Sequence, residues 1–245
     1  MNGLPSFLAP KYLAWLGEGL LTTLWTSVLV IAASLALGLV LAAAREYGGP
    51  LARRLGGVYL SVFRNTPLLV QLFFWYFGLP ALLPEGVLPW LNTPHALAVG
   101  GVTLVRWPSF EFLAATVGLV AYSTAYVGED IRSGLRGVPS GQRQAAMALG
   151  FTPQQVLTQV VFPQALRIAA APLIGQSMNI LKNTSLGMAI GLMELSYRTR
   201  QVEAETWKTF QVYGVSTVLY IAAIGLLALA GAWWQRRLQR RPGAA

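Results

Sequence analysis

Few side chains in this sequence are arranged for bond-making chemistry. The acidic pair Glu129-Asp130 stands just before Arg132. In a membrane protein such a cluster serves as a gate ion pair, a proton carrier or an interfacial anchor for a helix end. Arg64 joins Glu129 and Arg132 as a candidate for that gate or anchor. Lys182 is the one charge in the otherwise uncharged stretch Ile168–Met193, and the single histidine, His95, lies among prolines. No zinc-protease motif, no Gly-x-Ser-x-Gly and no glycine-rich phosphate loop occurs. The chain has no cysteine, which removes disulfides, thiolate metal sites and thiol catalysis. An enzyme embedded in lipid would need an acid, a base or a metal there, and Lys182 alone is in place. The chain is read as a non-enzyme with no metal site.

The elements that position these residues are those of a membrane protein. Hydrophobic residues make up 55% of the chain and charged ones 11%, against roughly 25% charged in a soluble domain. Crossing hydrocarbon takes about 20 apolar residues. Leu20–Ala44 runs 25 residues without a charge and Val212–Trp234 runs 23. Thr66–Pro84 is uncharged and aromatic-rich, its helix beginning near Val58, and Phe112–Gly128 adds 17 uncharged residues. With Ile168–Met193 these make about five spans of an all-α integral membrane fold. Val87–Val105 is also uncharged but contains Pro89, Pro94, Gly100 and Gly101, which argue against a continuous helix. Pro80–Glu111 is read as an external loop. Nothing marks a second folded domain, so residues 1–245 are taken as a single transmembrane domain, and the N-terminal stretch lacks the pattern of a cleavable signal.

Orientation follows from lysine and arginine. The loops after the first and third spans and the C-terminal tail hold twelve basic residues against three acidic ones, whereas the opposite side holds five basic and six acidic. The positive side is cytoplasmic, which places the N-terminus outside and the C-terminus inside. The net charge of +9 then reflects topology and anionic headgroups, and no nucleic-acid partner is needed to explain it.

Residues 139–163 spell two short helices between the third and fourth spans. Pro139-Ser140 is a start signal with Ser140 as cap. Gly150 suits a left-handed helix end. Thr152, Pro153 and Gln155 provide cap, first-turn proline and capping-box partner, and Pro163 ends or kinks the second helix. The geometry is that of a helix-turn-helix, yet its second helix carries no lysine or arginine and its first has only Arg143, which argues against phosphate contact. Small and apolar residues dominate: Ala145, Ala146, Ala148 and Leu149, then Val156, Leu157, Val160 and Val161. They suit docking into an apolar groove of another protein; the plainer reading is a hairpin packed against its own spans.

The same hairpin resembles the cytoplasmic coupling loop of permease subunits of ABC importers. The family motif is Glu-Ala-Ala, three residues, Gly, nine residues, then Ile-x-Leu-Pro. Here Gln144-Ala145-Ala146 precedes Gly150, and Val160-Val161-Phe162-Pro163 follows at the matching spacing. Gln144 departs from the usual glutamate, so any ion pair made there is lost. Phe63–Gln71, Ala125–Arg132, Pro163–Arg167 and Leu181–Leu186 resemble stretches of the polar amino acid branch, which takes up histidine, glutamate, glutamine, arginine or opines. The likeness runs from about Leu20 to Leu229.

The resemblance implies a type I importer permease in a bacterial inner membrane, crossing it several times. It implies a cytoplasmic ATPase dimer docked at Gln144, Ala145, Ala146, Leu149, Gly150 and Pro163, and a second permease subunit, identical or related. It also implies an external amino-acid-binding protein. ATP and Mg would bind the ATPase, since this chain lacks G-x-x-x-x-G-K-[ST] and carries no cofactor of its own. An amino acid crossing lipid needs hydrogen-bonding groups. The candidates are Asn179, Lys182, Asn183, Thr184 and Ser185 in the fourth span, with Ser123 and Tyr126 in the third. The rival reading is an ion-coupled secondary transporter of small polar solutes. It would ordinarily show internal repeats and several membrane charges, and neither is present.

Overall fold

The computed structural model describes residues 8–93, 96–99, 102–106 and 108–239. His95, and Arg240 and Arg241 of the basic tail, lie outside these residues. Helix dominates the described chain. α1 (Pro10–Tyr47) is followed by a tight turn and α2 (Pro50–Asn65). The turn needs a glycine, because a Cβ on Gly48 would stand 2.1 Å from the Ala44 carbonyl oxygen.

The expected second span is not one straight helix. Thr66-Pro67 separates α2 from α3 (Leu68–Phe73), which passes into a wide π turn (Phe74–Gly78) and a 3-10 turn (Leu79–Leu82). Pro67 has no N–H to donate and pushes Thr66 out of the helical region. The Gln71 side chain covers the break, its Nε2 donating to the Thr66 carbonyl at 3.1 Å and to Thr66 Oγ1 at 2.7 Å. Polar backbone freed inside a membrane needs such a partner.

The described residues of 80–109 contain no helix long enough to span, in keeping with the prolines there. They form α4 (Val87–Asn92) and a short antiparallel hairpin, β1 (Ala96–Val99) and β2 (Val102–Arg106), with a register shift between Leu97 and Ala98. α5 (Phe110–Gly137), α6 (Ser140–Ala148) and α7 (Pro153–Gln155) follow. α7 runs through a π turn (Val156–Val161) into α8 (Phe162–Asn183), and a 3-10 turn (Thr184–Ile190) continues from it. α9 (Leu195–Thr206) and α10 (Thr209–Gln239) complete the chain. Among the described residues, four helical stretches are long and apolar enough to cross a bilayer: Pro10–Tyr47, Phe110–Gly137, Pro153–Ile190 and Thr209–Leu238; Leu68–Leu82 is a shorter apolar segment.

The chain divides into two compact units, each assembled from three separated segments. The first comprises Met1–Val30, Thr66–Val120 and Leu181–Tyr220, the second Ile31–Asn65, Ala121–Ile180 and Ile221–Ala245. In the second unit α5 and α8 approach closely, since a Cβ on Gly134 would meet the Ala165 carbonyl oxygen at 2.6 Å. Leu135, Val138, Ala146, Val156, Val161 and Ala165 form a buried cluster there. Gly231 faces Ile174 and Ala223 is buried, so these small residues of α10 serve packing within the chain.

The first unit is organised around Glu194, which is fully buried at the start of α9. Its Oε1 accepts from the Tyr197 N–H at 2.8 Å. Its Oε2 accepts from the Ser196 N–H at 2.9 Å, the Tyr220 hydroxyl at 2.8 Å and the Thr23 hydroxyl at 3.4 Å. Thr23 Oγ1 in turn accepts from the Leu195 N–H at 3.1 Å. One carboxylate therefore caps α9 and ties it to α1 and α10. Burial pushes this carboxyl above the ordinary glutamate value, and the four donors pull it part of the way back.

A folded pKa above the unfolded one means that the native state holds the proton to higher pH. The stability this group contributes is largest in acid and declines as pH rises from the ordinary value of 4.5 through the raised one. Glu194→Gln cannot ionise and serves as the reference. The melting midpoint of the wild type minus that of Glu194→Gln should fall as pH rises above the ordinary value of 4.5. A gap that widens with pH would mean a depressed carboxyl. Glu194→Ala, which orphans four donors, should cost roughly 2–4 kcal/mol.

Candidate functional site

The hairpin after α5 is built by local signals. Pro139, with φ −55° and ψ 136°, takes the cap position, and Ser140 enters the first turn without capping it. The fixed φ of proline sets the boundary that had been expected of the Ser140 hydroxyl. At the other end of α6, Gly150 has φ +86°. The Gly150 N–H reaches the Met147 carbonyl at 3.0 Å and the Phe151 N–H reaches the Ala146 carbonyl at 3.1 Å. These paired bonds close the helix and need the left-handed residue. Thr152 and Gln155 form the expected capping box: the Gln155 N–H donates to Thr152 Oγ1 at 3.4 Å, and the Thr152 N–H to Gln155 Oε1 at 2.8 Å.

Pro163 does not end the second helix. The π turn before it bonds the Phe162 N–H to the Leu157 carbonyl, and Pro163 then falls in the first turn of α8, where a missing N–H is tolerated. The faces also differ from expectation at one place. Gln144, Ala145, Leu149, Gly150 and Pro163 are exposed, Leu149 by 78%, but Ala146 is 5% exposed and packs inward with Leu135, Val138 and Val156. Arg143, the hairpin's one cation, is half-buried and donates to the Leu135 carbonyl at 2.9 Å. It braces the hairpin on α5.

Glu129 of the acidic pair on α5 belongs to a larger charge cluster. Glu129 pairs with Arg45 and, at 3.2 Å, with Arg132. Glu46 receives Arg132 at 3.2 Å and Arg136 at 2.9 Å. The cluster joins the end of α1 to α5, one turn before Leu135 and Val138. Arg64 stands apart from it in this unit, its guanidinium 5.2 Å from the centre of the Tyr126 ring, and Asp130 bonds with Gln176. Arg45, Glu46 and Arg136 were missed in the sequence. Part of their signal is local, namely adjacent opposite charges at the end of one span and Glu129, Arg132 and Arg136 spaced three and four apart on another, but the pairing between the two spans is not.

The polar residues of α8 and its 3-10 continuation separate by exposure. Asn179 and Lys182 are exposed and Asn183 half-exposed. Thr184 is fully buried, with its hydroxyl given to the Leu181 carbonyl at 2.8 Å, and Ser185 gives its own to the Lys182 carbonyl at 2.7 Å. Ser123 is buried at 4% exposure, which withdraws it from any open surface, while Tyr126 is half-buried and accepts from the Tyr122 hydroxyl at 3.2 Å.

The comparisons with known proteins agree with this architecture. Residues 34–243 match the family described as Binding-protein-dependent transport system inner membrane component. The probable glutamine ABC transporter permease protein GlnM of Bacillus subtilis is 33% identical over 224 residues, covering 91% of this chain and 93% of the relative. The glutamate/aspartate import permease protein GltJ of Escherichia coli is 29% identical over 220 residues, covering 88% of this chain and 85% of the relative. Among solved structures, an amino acid ABC transporter with histidines superposes with TM-score 0.76 at 26% identity, over 93% of this chain and 95% of that one. The MetNI methionine ABC transporter shares the fold with TM-score 0.71. Its spans, its hairpin and the extent of these likenesses place the chain in the family of binding-protein-dependent transport system inner membrane components.

Proposed function

We propose that this chain is the permease subunit of an ATP-driven importer of polar amino acids, fed by an external binding protein. The observation that carries the reading is the hairpin 139–163. It combines a packed inner face with an exposed face of Gln144, Ala145, Leu149 and Gly150 on a member of a transport family. An exposed leucine flanked by small residues offers an apolar knob with little steric hindrance around it. The partner it fits is a cytoplasmic ATPase, which supplies the ATP and Mg chemistry. The amino-acid cargo is inferred from relatives whose names specify glutamine, glutamate and aspartate.

In this reading the hairpin side is cytoplasmic, the N-terminus is external, and two permease chains, identical or related, flank the path. The chain acts as one permease domain. Asn179, Lys182 and Asn183 supply hydrogen-bonding groups toward water, since exposed polar groups on a membrane helix require water or a partner. The charge cluster of Arg45, Glu46, Glu129, Arg132 and Arg136 keeps α1 and α5 together, so that force applied at the hairpin moves both. No observation favours the ion-coupled alternative.

The hairpin and the charge cluster each give expectations for the purified complex. Leu149→Asp should leave the permease in the membrane but reduce ATPase co-purification and ATP-driven uptake by at least about tenfold, as loss of a central apolar contact does. Wild-type co-purification in that variant would reject the docking face. Ala146→Leu should act differently, costing roughly 1–3 kcal/mol of stability by overpacking the hairpin's own core. In the charge cluster, Glu129→Arg should lower stability by about 1–3 kcal/mol, between the limits for exposed and buried pairs. The double variant Arg45→Glu/Glu129→Arg should recover part of that loss. Equal melting midpoints for the single and double variants would show that Arg45 and Glu129 are not coupled.

A further inference from the structure

The second unit carries an apolar cleft of about 180 Å³ that neither the exposed face of the hairpin nor the polar residues of α8 use. Close helix packing creates it. A Cβ on Gly38 would stand 2.7 Å from Val127 Cγ1, so α1 lies tightly on α5 there, and Gly134 brings α8 as close to α5 on its own side. The cleft is lined by Leu35 and Leu39 of α1, Ile131 and Leu135 of α5, and the face of α8 from Phe162 to Leu173. Leu135 and Leu173 are buried at its base, whereas Leu35, Leu39 and Phe162 are 38%, 42% and 39% exposed and form an open rim. Every lining side chain is hydrocarbon, so only hydrocarbon fills the space without leaving a hydrogen bond unmade. A cavity of about 150 Å³ with such walls takes in a molecule the size of benzene.

The cleft has the depth of one leaflet. Eleven residue steps separate Phe162 from Leu173, about 16 Å of helix at a rise of 1.5 Å. Half of a hydrocarbon core about 30 Å thick is about 15 Å. The end nearest the hairpin, at Leu135 and Phe162, meets charge. Arg136 follows Leu135; its Nε donates to Glu46 at 2.9 Å, and its two terminal nitrogens have no partner among the described residues. In its cluster three arginines, Arg45, Arg132 and Arg136, face two carboxylates, Glu46 and Glu129. The surplus positive charge falls to Arg136, whose side chain is 58% exposed. A guanidinium fork of this kind matches a phosphate. A helix of another chain, about 10 Å across, could cover the rim but has no intrinsic anion for Arg136. A phospholipid supplies the hydrocarbon and the anion together.

We propose that the cleft holds one acyl chain of an anionic phospholipid from the leaflet on the hairpin side, with the lipid phosphate on the terminal nitrogens of Arg136. The lipid then joins α1, α5 and α8 at the level where the hairpin is braced.

The test is photolabelling of the purified permease–ATPase complex in phosphatidylcholine nanodiscs. These carry a trace of phospholipid with a diazirine in one acyl chain, under either a phosphatidylglycerol or a phosphatidylcholine headgroup, and labelled residues are read by mass spectrometry. In the wild type, α1 around Leu39 and α8 around Leu166 should label about fivefold more with the glycerol headgroup, the effect of one arginine on an anionic lipid. Leu226 and Leu229 of α10, each 69% exposed, report unselective lipid contact and should label equally with both. Arg136→Gln should remove the preference, and Arg136→Lys should keep part of it. Leu39→Trp fills the rim and leaves the charge cluster intact, so it tests the cleft even where Arg136→Gln lowers the yield of complex; it should reduce labelling of α8 by both lipids. Equal labelling by the two headgroups in the wild type, a preference that survives Arg136→Gln, or unchanged α8 labelling in Leu39→Trp would overturn the site. Absence of label at Leu39 and Leu166 would overturn it as well. A cross-link from Leu39→Cys, unique in a chain without cysteine, to a second permease chain would then identify that chain as the occupant.

Discussion

A chain that crosses hydrocarbon must satisfy its backbone hydrogen bonds within its own helices or against its own side chains. Straight apolar helix meets that requirement without help, and α1 and α10 are largely this. Every interruption has to be covered. At Thr66-Pro67 the Gln71 amide does so, through bonds of 3.1 and 2.7 Å. At 156–161 the wide turn keeps the backbone bonded while Pro163 passes into α8. After Asn183 the chain tightens into a 3-10 turn whose Thr184 hydroxyl bonds a freed carbonyl. The residues proposed for function lie beside these interruptions: the hairpin before the 156–161 turn, and Asn179, Lys182 and Asn183 where α8 gives way to the 3-10 turn. Irregular backbone is costly in lipid, so its retention marks places where regular helix would not serve.

The same requirement explains the placement of buried charge. Glu194 is taken out of water completely and is tolerated because two backbone N–H groups and two hydroxyls surround it. Glu129 and Glu46 keep part of their exposure and are matched by Arg45, Arg132 and Arg136. In each unit a carboxylate joins helices that are far apart in sequence. Apolar packing between helices is less selective about register, and a single well-bonded carboxylate supplies that selectivity.

Features that depend on neighbours in sequence could be read before the fold was known. Gly150 and the Thr152, Pro153, Gln155 triplet behave as their local chemistry requires, and the described residues of 80–109 hold no spanning helix, in keeping with their prolines. Features that depend on distant partners were not legible. Nothing near Glu194 in sequence indicates that Thr23 and Tyr220 will enclose it, and Arg45 gives no sign of meeting Glu129 until α1 and α5 are packed. Composition puts Ala146 on the docking face, whereas a nine-residue helix must bury one of its small residues to sit on Leu135 and Val156. At Thr66-Pro67 the signal was present, but the long uncharged run around it suggested a single helix.

The most direct measurement of the account is uptake of labelled amino acid into proteoliposomes. These would contain this chain, its permease partner and the ATPase, with the binding protein added outside. The account predicts accumulation that requires ATP within the vesicle and the ATPase subunit, and that persists when ionophores collapse every ion gradient. Accumulation that follows an imposed ion gradient in vesicles lacking ATP would contradict it.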